Sequence, residues 1–487
     1  MRDDRPSSMN RRTLLGAAMA TPFIGGIAPR AAWAQTSADT IIIGGGLAGL
    51  AAMQMLEAEG QRCILLEGDR RLGGRCYTMD TGEGHVDCGA TTIGPLYGRL
   101  RSLAAAGGVE LINPPGRDLF SYHINGAFVP TDKWATSPAN RLADSERMLR
   151  PEQIEFKFVQ AFNQITDLEN WASDELLAYD VPLDSFLRAR GVSEEALRLI
   201  DITTNSVSLS RTSALFQMRE FGRLALPTQG DTAREVYAAG RDGSYQYVKG
   251  GTSRLIEGIA GLLKGDVRTG AIVTGIDVRS DGASVELING ERIDARAVVC
   301  TIPYSALAGV RINPPLRERK LAAVLDASYT TTTHVFCRPT APYWEMDGAP
   351  AGLISDGIIE RVMANYDRSG KVSWIDVWLN GTAATAVDSL PQGERMAFVL
   401  DRLAEVRPST RGALKAVGMY SWGDNPFIRG NKHVFAPGQV ASLRTAMAMP
   451  WQKRLRFAGE HTRDFEAGME AAVESGQREA FAILEGL

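Results

Sequence analysis

Apolar positions along this chain switch between two periods, and the first switch comes early. Thr40-Ile41-Ile42-Ile43 is a short β-branched run of the kind buried on both faces of a parallel sheet. After residues 44–49 the spacing becomes helical, with Leu50, Met53 and Leu56 on one side up to Glu59, and Gly60 ends the pattern. Residues 62–66 read as a second strand, closed by Glu67. Further on, 267–276 and Val298-Val299-Cys300 read as strands, while the stretch after Leu255 and 194–199 read as helices. Residues 153–173 set Ile154, Phe156, Phe158, Phe162, Ile165 and Leu168 against polar neighbours, which predicts an amphipathic helix over a pocket. Strands alternating with helices predict an α/β fold with a largely parallel sheet.

Composition narrows this reading. At 487 residues the chain is long enough for about three domain equivalents, or two large interleaved ones. Hydrophobic residues at 44% and charged residues at 23% exclude disorder and collagen-like repeats. Five Cys in such a length exclude a disulfide scaffold, and an odd number leaves at least one thiol unpaired. A net charge of −4 without a basic block argues against a nucleic-acid partner. Five His and no H-x-x-x-H or C-x-x-C spacing argue against a metal.

Residues 1–34 stand apart. Asn10-Arg11-Arg12-Thr13-Leu14-Leu15 opens an apolar run to Ile27, and Ala32-Trp33-Ala34 follows as a small-x-small cleavage site. The arginine pair predicts a twin-arginine signal peptide and a periplasmic mature protein. Pro22, Gly25 and Gly26 interrupt the run, and it is shorter than the ~20 apolar residues a bilayer requires, so stable membrane insertion is not expected.

The chemistry concentrates after the first strand. Gly44-Gly45-Gly46-Leu47-Ala48-Gly49 gives G-x-G-x-x-G between a strand and a helix. Gly44 permits the turn, Gly46 lets a pyrophosphate approach the backbone, and Gly49 lets helix and strand pack. The N–H groups of the helix start, Leu47 and Ala48 among them, point at the phosphates. Glu67, 21 residues after Gly46, accepts the ribose hydroxyls. A second glycine pair follows in Arg71-Leu72-Gly73-Gly74-Arg75, where Gly74 offers backbone N–H and Arg75 a charge.

That second loop resembles the FAD-binding flavin amine oxidases, and the resemblance runs on through the mature chain. It is carried by Asp87-Cys88-Gly89-Ala90-Thr91-Thr92-Ile93-Gly94-Pro95, Lys249-Gly250-Gly251-Thr252, Val298–Pro303, Trp422–Phe427, Phe457-Ala458-Gly459-Glu460 and Gly468-Met469-Glu470-Ala471-Ala472. It implies a Rossmann-like, glutathione-reductase-like FAD domain interleaved with an α+β substrate domain of the monoamine-oxidase type. The FAD domain would use residues 37–95, 240–305 and 411–487, and the substrate domain 96–239 and 306–410. By the same resemblance Ala90 and Thr91 lie beside the flavin ring, Val273 at the adenine, Gly459 and Glu460 at the diphosphate and ribityl chain. Met469 and Ala472 begin a helix facing the flavin pyrimidine. The implied reaction oxidises the C–N bond of a small-molecule amine to an imine, which water hydrolyses. Hydride goes to flavin N5 and then to O2 or a periplasmic electron carrier.

Three positions depart from the family's pattern. Counting ten back from Trp344 in Pro342-Tyr343-Trp344 places His334 where the family holds a lysine and its water. Oxygen reactivity is therefore open, and a dehydrogenase is a second form of the reaction. Lys432 and Gly468 fall where two aromatic residues flank the amine, so the cage is missing. Lys432 is expected either to meet a substrate carboxylate or to be solvated, with His433 and Phe435 as substitute pocket lining. Asn431 falls where some members carry a flavin-linked cysteine, so FAD is expected to be non-covalent. An L-amino-acid oxidase or dehydrogenase is a second enzyme reading, against which the segment after Asp87 reads Gly89-Ala90-Thr91-Thr92 and lacks the Gly-Ala-Met-Arg carboxylate clamp. A desaturase or porphyrinogen-type oxidase, and a flavin electron carrier without catalysis, remain as alternatives. Oligomeric state, a homodimer included, is open.

Overall fold

A computed structural model describes residues 37–486 except 114–118, 205, 227–244 and 368. The signal-peptide reading therefore lies outside the described residues.

The β-branched run becomes the strand Ser37–Ile43, buried almost throughout. It lies between two parallel partners, with Ile41 opposite Ile64 of Cys63–Leu66 and Val298 of Arg292–Cys300. Asp266–Arg268 and Leu455–Phe457 extend this parallel core on Cys63–Leu66 and Arg292–Cys300. Antiparallel strands Ala283–Leu287 and Val273–Val278, then Arg311–Asn313, complete eight strands. The helices Leu47–Ala58 and Gly468–Leu484 pack against each other beside the sheet.

A second, seven-stranded sheet runs in the order Leu414–Ser421, Thr332–Pro339, Val372–Asn380, Arg361–Tyr366, Gly352–Ser355, Phe120–Ile124 and Ala127–Val129. The helices Pro151–Ala161, Leu183–Arg188, Glu194–Thr203 and Ala214–Ala225 share a core with Tyr122 and Ile124. Leu414–Ser421 belongs to this sheet although it follows the expected boundary at 411. Arg311–Asn313 belongs to the first although it follows the boundary at 305. Strand pairing across long loops decides both.

Two expectations about elements are corrected. The helix expected over 153–173 is Pro151–Ala161 only. Asn163 stops it, with Oδ1 accepting from Ile165 N–H at 2.9 Å and Nδ2 donating to Met218 O at 3.0 Å. Phe156 is left 40% exposed, edge-on to Phe221. The strand expected over 267–276 is two strands. Between them Gly270 N–H donates to Asp69 O and Ala271 N–H to Glu67 O, folding the chain back onto the residues after Cys63–Leu66.

Candidate functional site

The two glycine loops close on each other. Gly73 N–H donates to Gly45 O at 2.7 Å, and Gly46 and Gly73 form a β-bridge. Gly49 admits no side chain, since its Cβ would lie 2.0 Å from Gly44 O. The helix Leu47–Ala58 starts with no side chain capping it, which leaves its first N–H groups to a ligand. Space is open in front of Gly46, where a Cβ would meet nothing nearer than Gly73 O at 3.9 Å. Glu67 is buried and already oriented, accepting from Gly45 N–H at 2.6 Å and Asp69 N–H at 2.7 Å. Burial pushes its carboxyl up, and those two bonds pull the other way. The bend at Gly270–Ala271, two residues before Val273, is tied to Glu67 by Ala271 N–H donating to Glu67 O at 2.8 Å. This cradle fits a dinucleotide: room at the phosphates, free N–H groups and an acceptor at the ribose.

Arg71 holds the second loop, donating to Gly74 O at 2.8 Å with its guanidinium 4.1 Å from the Tyr77 ring centre. Arg75 donates to Glu460 at 2.6 Å and to Asn431 O at 2.8 Å. Glu460 is also paired with Arg463 and accepts from His433 N–H at 3.0 Å. Burial alone would raise its carboxyl, but Arg75 and Arg463 hold it well below the usual range. Ala90 N–H donates to Arg75 O, which sets Ala90 and Thr91 next to this corner. Asp87 joins two of the sequence motifs, its carboxylate accepting from Thr78 Oγ1 and from Thr252 N–H and Oγ1.

The last helix starts at Gly468 behind Ala467, again with no side-chain cap. Gly459 N–H donates to Ser475 Oγ at 2.8 Å, and Glu470 accepts from the N–H groups of Arg99 and Leu100 at 2.9 Å. Met469 and Ala472 lie in the first two turns of this helix. Gly468 has φ +57°, and a Cβ there would meet Tyr97 Oη at 2.9 Å. The hydroxyl of Tyr97 thus occupies the room where a side chain at 468 would sit. Burial pushes the Tyr97 phenol up to about 12, so it stays protonated.

Lys432 is ion-paired rather than simply solvated, which corrects the second of its two expectations. Its Nζ pairs with Glu220 Oε2 at 2.7 Å. Arg219 and Arg463 face the same carboxylate. Burial opposes the charge of Glu220, yet these three cations keep it ionised far below its ordinary range. Arg219 also donates to the carbonyls of Asp464, Phe465 and Glu466, just before Gly468. His433 is fully buried, edge-on to Tyr329 and Phe435, and Phe435 packs on Phe216. Burial lowers His433 to about 3, so it packs as a neutral ring.

His334 lies on Thr332–Pro339 with Nδ1 2.9 Å from Asp376 Oδ2. Asn431 donates through Nδ2 to Thr332 Oγ1 at 3.0 Å. All five cysteines are free and buried, and burial pushes Cys63, Cys76, Cys300 and Cys337 up to about 12. Among the described residues no group of three or more His, Cys, Asp and Glu could hold a metal ion, and no helix is long and apolar enough to cross a membrane. Sequence reasoning missed Asp376, Tyr97, Glu220 and Arg219; none stands in a motif, and each is joined to the site only by folding.

The family model described as flavin containing amine oxidoreductase matches residues 47–484. A flavin-dependent L-tryptophan oxidase from Lentzea aerocolonigenes is 28% identical over 480 residues, covering 91% of this chain and 98% of that protein. Human flavin-containing amine oxidase B is 24% identical, covering 92% of this chain and 86% of its own. Two solved structures share the fold at 20% identity and a TM-score of 0.73. They are putrescine oxidase bound to putrescine and cyclohexylamine oxidase from Brevibacterium oxydans IH-35A, each covering 92% of this chain and 99% of its own.

Proposed function

The chain belongs to the flavin-containing amine oxidoreductase family, and from that premise we propose that it oxidises a small primary amine at the carbon bearing nitrogen. It is an FAD-dependent oxidoreductase. FAD, when bound, supplies the two-electron acceptor. Residues 44–49, Glu67, Gly74 and Arg75 would hold its adenosine and phosphate end. Gly459, Glu460 and the start of the last helix would meet the rest.

One observation carries the reading. The helices that start behind Gly46 and at Gly468, neither with a side-chain cap, pack directly on each other, Gly476 lying against Ala48. One dinucleotide can therefore meet the positive ends of both, the second where reduction adds negative charge. The protein's part is then to bury the amine, orient it and strip it of water. Asn431, with its amide committed to Thr332, supports non-covalent attachment.

A second reading, an α-amino acid substrate, is favoured by charge. Among the described residues Arg75, Arg219, Lys432 and Arg463 ion-pair with two carboxylates, Glu220 and Glu460. That positive excess suits a substrate carboxylate. Anaerobic mixing of the FAD-loaded protein with benzylamine, putrescine and L-tryptophan separates the two by which compound bleaches the flavin. Bleaching by none would refute both. Reoxidation by air against a c-type cytochrome then assigns the acceptor as O2 or a redox carrier.

The same reading has the protein exported through the twin-arginine route, supported by Arg11-Arg12 and Ala32-Trp33-Ala34. Cell fractionation and the intact mass of the mature chain test it. Retention of residues 1–34 in the cytoplasm would count against export.

A further inference from the structure

His334 shares one face of its strand with Thr332 and Phe336, and that face turns toward the cradle. Thr332 Oγ1 accepts from Asn431, whose carbonyl takes the Arg75 guanidinium. Phe336 packs with Val86, Cys88 and Trp422, and Trp422 Nε1 donates to Cys88 O at 2.6 Å, two residues before Ala90. The imidazole is fixed on three sides. It stacks parallel to Phe336 at 5.6 Å, meets Trp378 at 5.1 Å, and lies with Nδ1 2.9 and 3.1 Å from the two oxygens of Asp376.

An ionised carboxylate only accepts, so Nδ1 carries a hydrogen, and in the neutral ring Nε2 then presents a lone pair. Among the described residues Nε2 has no hydrogen-bond partner. From the elements packed on this face, Asp376 comes from Val372–Asn380, Tyr420 from Leu414–Ser421, Cys88 from just after His85–Asp87 and Tyr77 from just before its partner strand Thr78–Asp80. Arg361 lies beyond Trp378, 5.4 Å from its ring. Burial pushes the Cys88 thiol and the Tyr77 phenol up, which leaves both neutral at ordinary pH. Asp376 is the one carboxylate hydrogen-bonded to His334 among the described residues.

We infer that Asp376 is a positioning residue that holds His334 with Nε2 free to take a proton from the substrate's ammonium group. The inference rests on the amine-oxidation reading above. An alkylamine is protonated near neutral pH, and only its neutral form has the lone pair that drives hydride loss from the neighbouring carbon. In the step one N–H bond of R–CH2–NH3+ breaks and one Nε2–H bond forms. The products are R–CH2–NH2 and an imidazolium facing Asp376, and no oxidation state changes.

Two measurements on the FAD-loaded protein test this. The chain has five histidines, His85, His123, His334, His433 and His461, so 15N-histidine labelling gives assignable spectra. His334 is expected as the Nδ1–H tautomer, and Asp376→Asn should let both tautomers appear. Anaerobic flavin bleaching by benzylamine, putrescine or L-tryptophan between pH 5 and 9 gives the second readout. The wild type should lose rate toward acid pH. His334→Gln should slow bleaching about 100-fold or more and lose that acid limb, and Asp376→Asn should slow it about 10- to 100-fold. An Nε2–H tautomer in the wild type, which needs no variant to fold, overturns the inference. So do an unchanged rate and pH profile in both variants. If none of the three compounds bleaches the wild type, the amine reading itself fails, even with the Nδ1–H tautomer in place.

Discussion

At Glu220 one buried carboxylate answers three cations, and the asymmetry decides which partner can be removed. Truncating Lys432 leaves Arg219 and Arg463 to balance Glu220. Neutralising Glu220 strands buried positive charge instead. Glu220→Gln should therefore cost about 3–5 kcal/mol, and Lys432→Met, at a side chain about a third exposed, clearly less. Thermal unfolding at pH 7 compares them, and a larger loss for Lys432→Met would refute the assignment. Gly468 poses a different residue-scale question, because two costs coincide there. A side chain must tolerate φ +57° and collide with Tyr97 Oη. Gly468→Ala should lose about 1–2 kcal/mol from backbone strain alone. Part of any further loss should return in the Tyr97→Phe background, where the hydroxyl is gone. Equal losses in both backgrounds would show that Tyr97 does not fill this space.

Between elements, the decisive contact is that of the first and last helices. A Cβ on Gly476 would lie 2.1 Å from Ala48 O, so Gly476→Ala must push the helices apart. The separation should cost about 1–3 kcal/mol and weaken FAD retention, because the N-termini proposed to meet FAD belong to these helices. Melting temperature and the flavin absorbance left after gel filtration check it, and a variant that keeps both would place the helices further apart than described. Elements of this local kind were legible. Thr40–Ile43, the turn at residues 44–49 and Glu67 announce themselves through β-branching, glycine spacing and one acid at a fixed offset. The helix end at Asn163 and the fold-back at Gly270 were not, since each is set by a bond to a distant segment, Met218 in one case and Asp69 in the other. The same limit hid Asp376. It lies 42 residues from His334 and meets it only because Thr332–Pro339 and Val372–Asn380 pair in register. Lys432 was visible as a charge, but its partner on Ala214–Ala225 was not.

Over the whole molecule, buried carboxylates respond to pH in two opposite senses. Glu220 and Glu460 are held low by arginine and lysine, so the stability they contribute is present above the ordinary carboxylate range and is lost as pH falls through their folded values. Glu155 and Glu360 behave the other way. Burial raises each to about 7, against the hydrogen bonds Glu155 takes from Thr204 and Gln217 and Glu360 takes from Asn380 N–H. The folded protein therefore holds protons on them that the unfolded chain has released above about 4.5. Their contribution is greatest below that value, declines as pH rises to about 7, and is flat beyond. For Glu155 the change is of the order of 3 kcal/mol, from about 1.4 kcal/mol per pH unit. Glu155→Gln keeps an acceptor for Thr204 and Gln217 and removes the titration. Its unfolding free energy should match the wild type near pH 5 and exceed it near pH 8. A difference between the two proteins that does not change across pH 5–8 would mean that Glu155 is ionised in the folded state, with Lys432 and Arg361 compensating its burial.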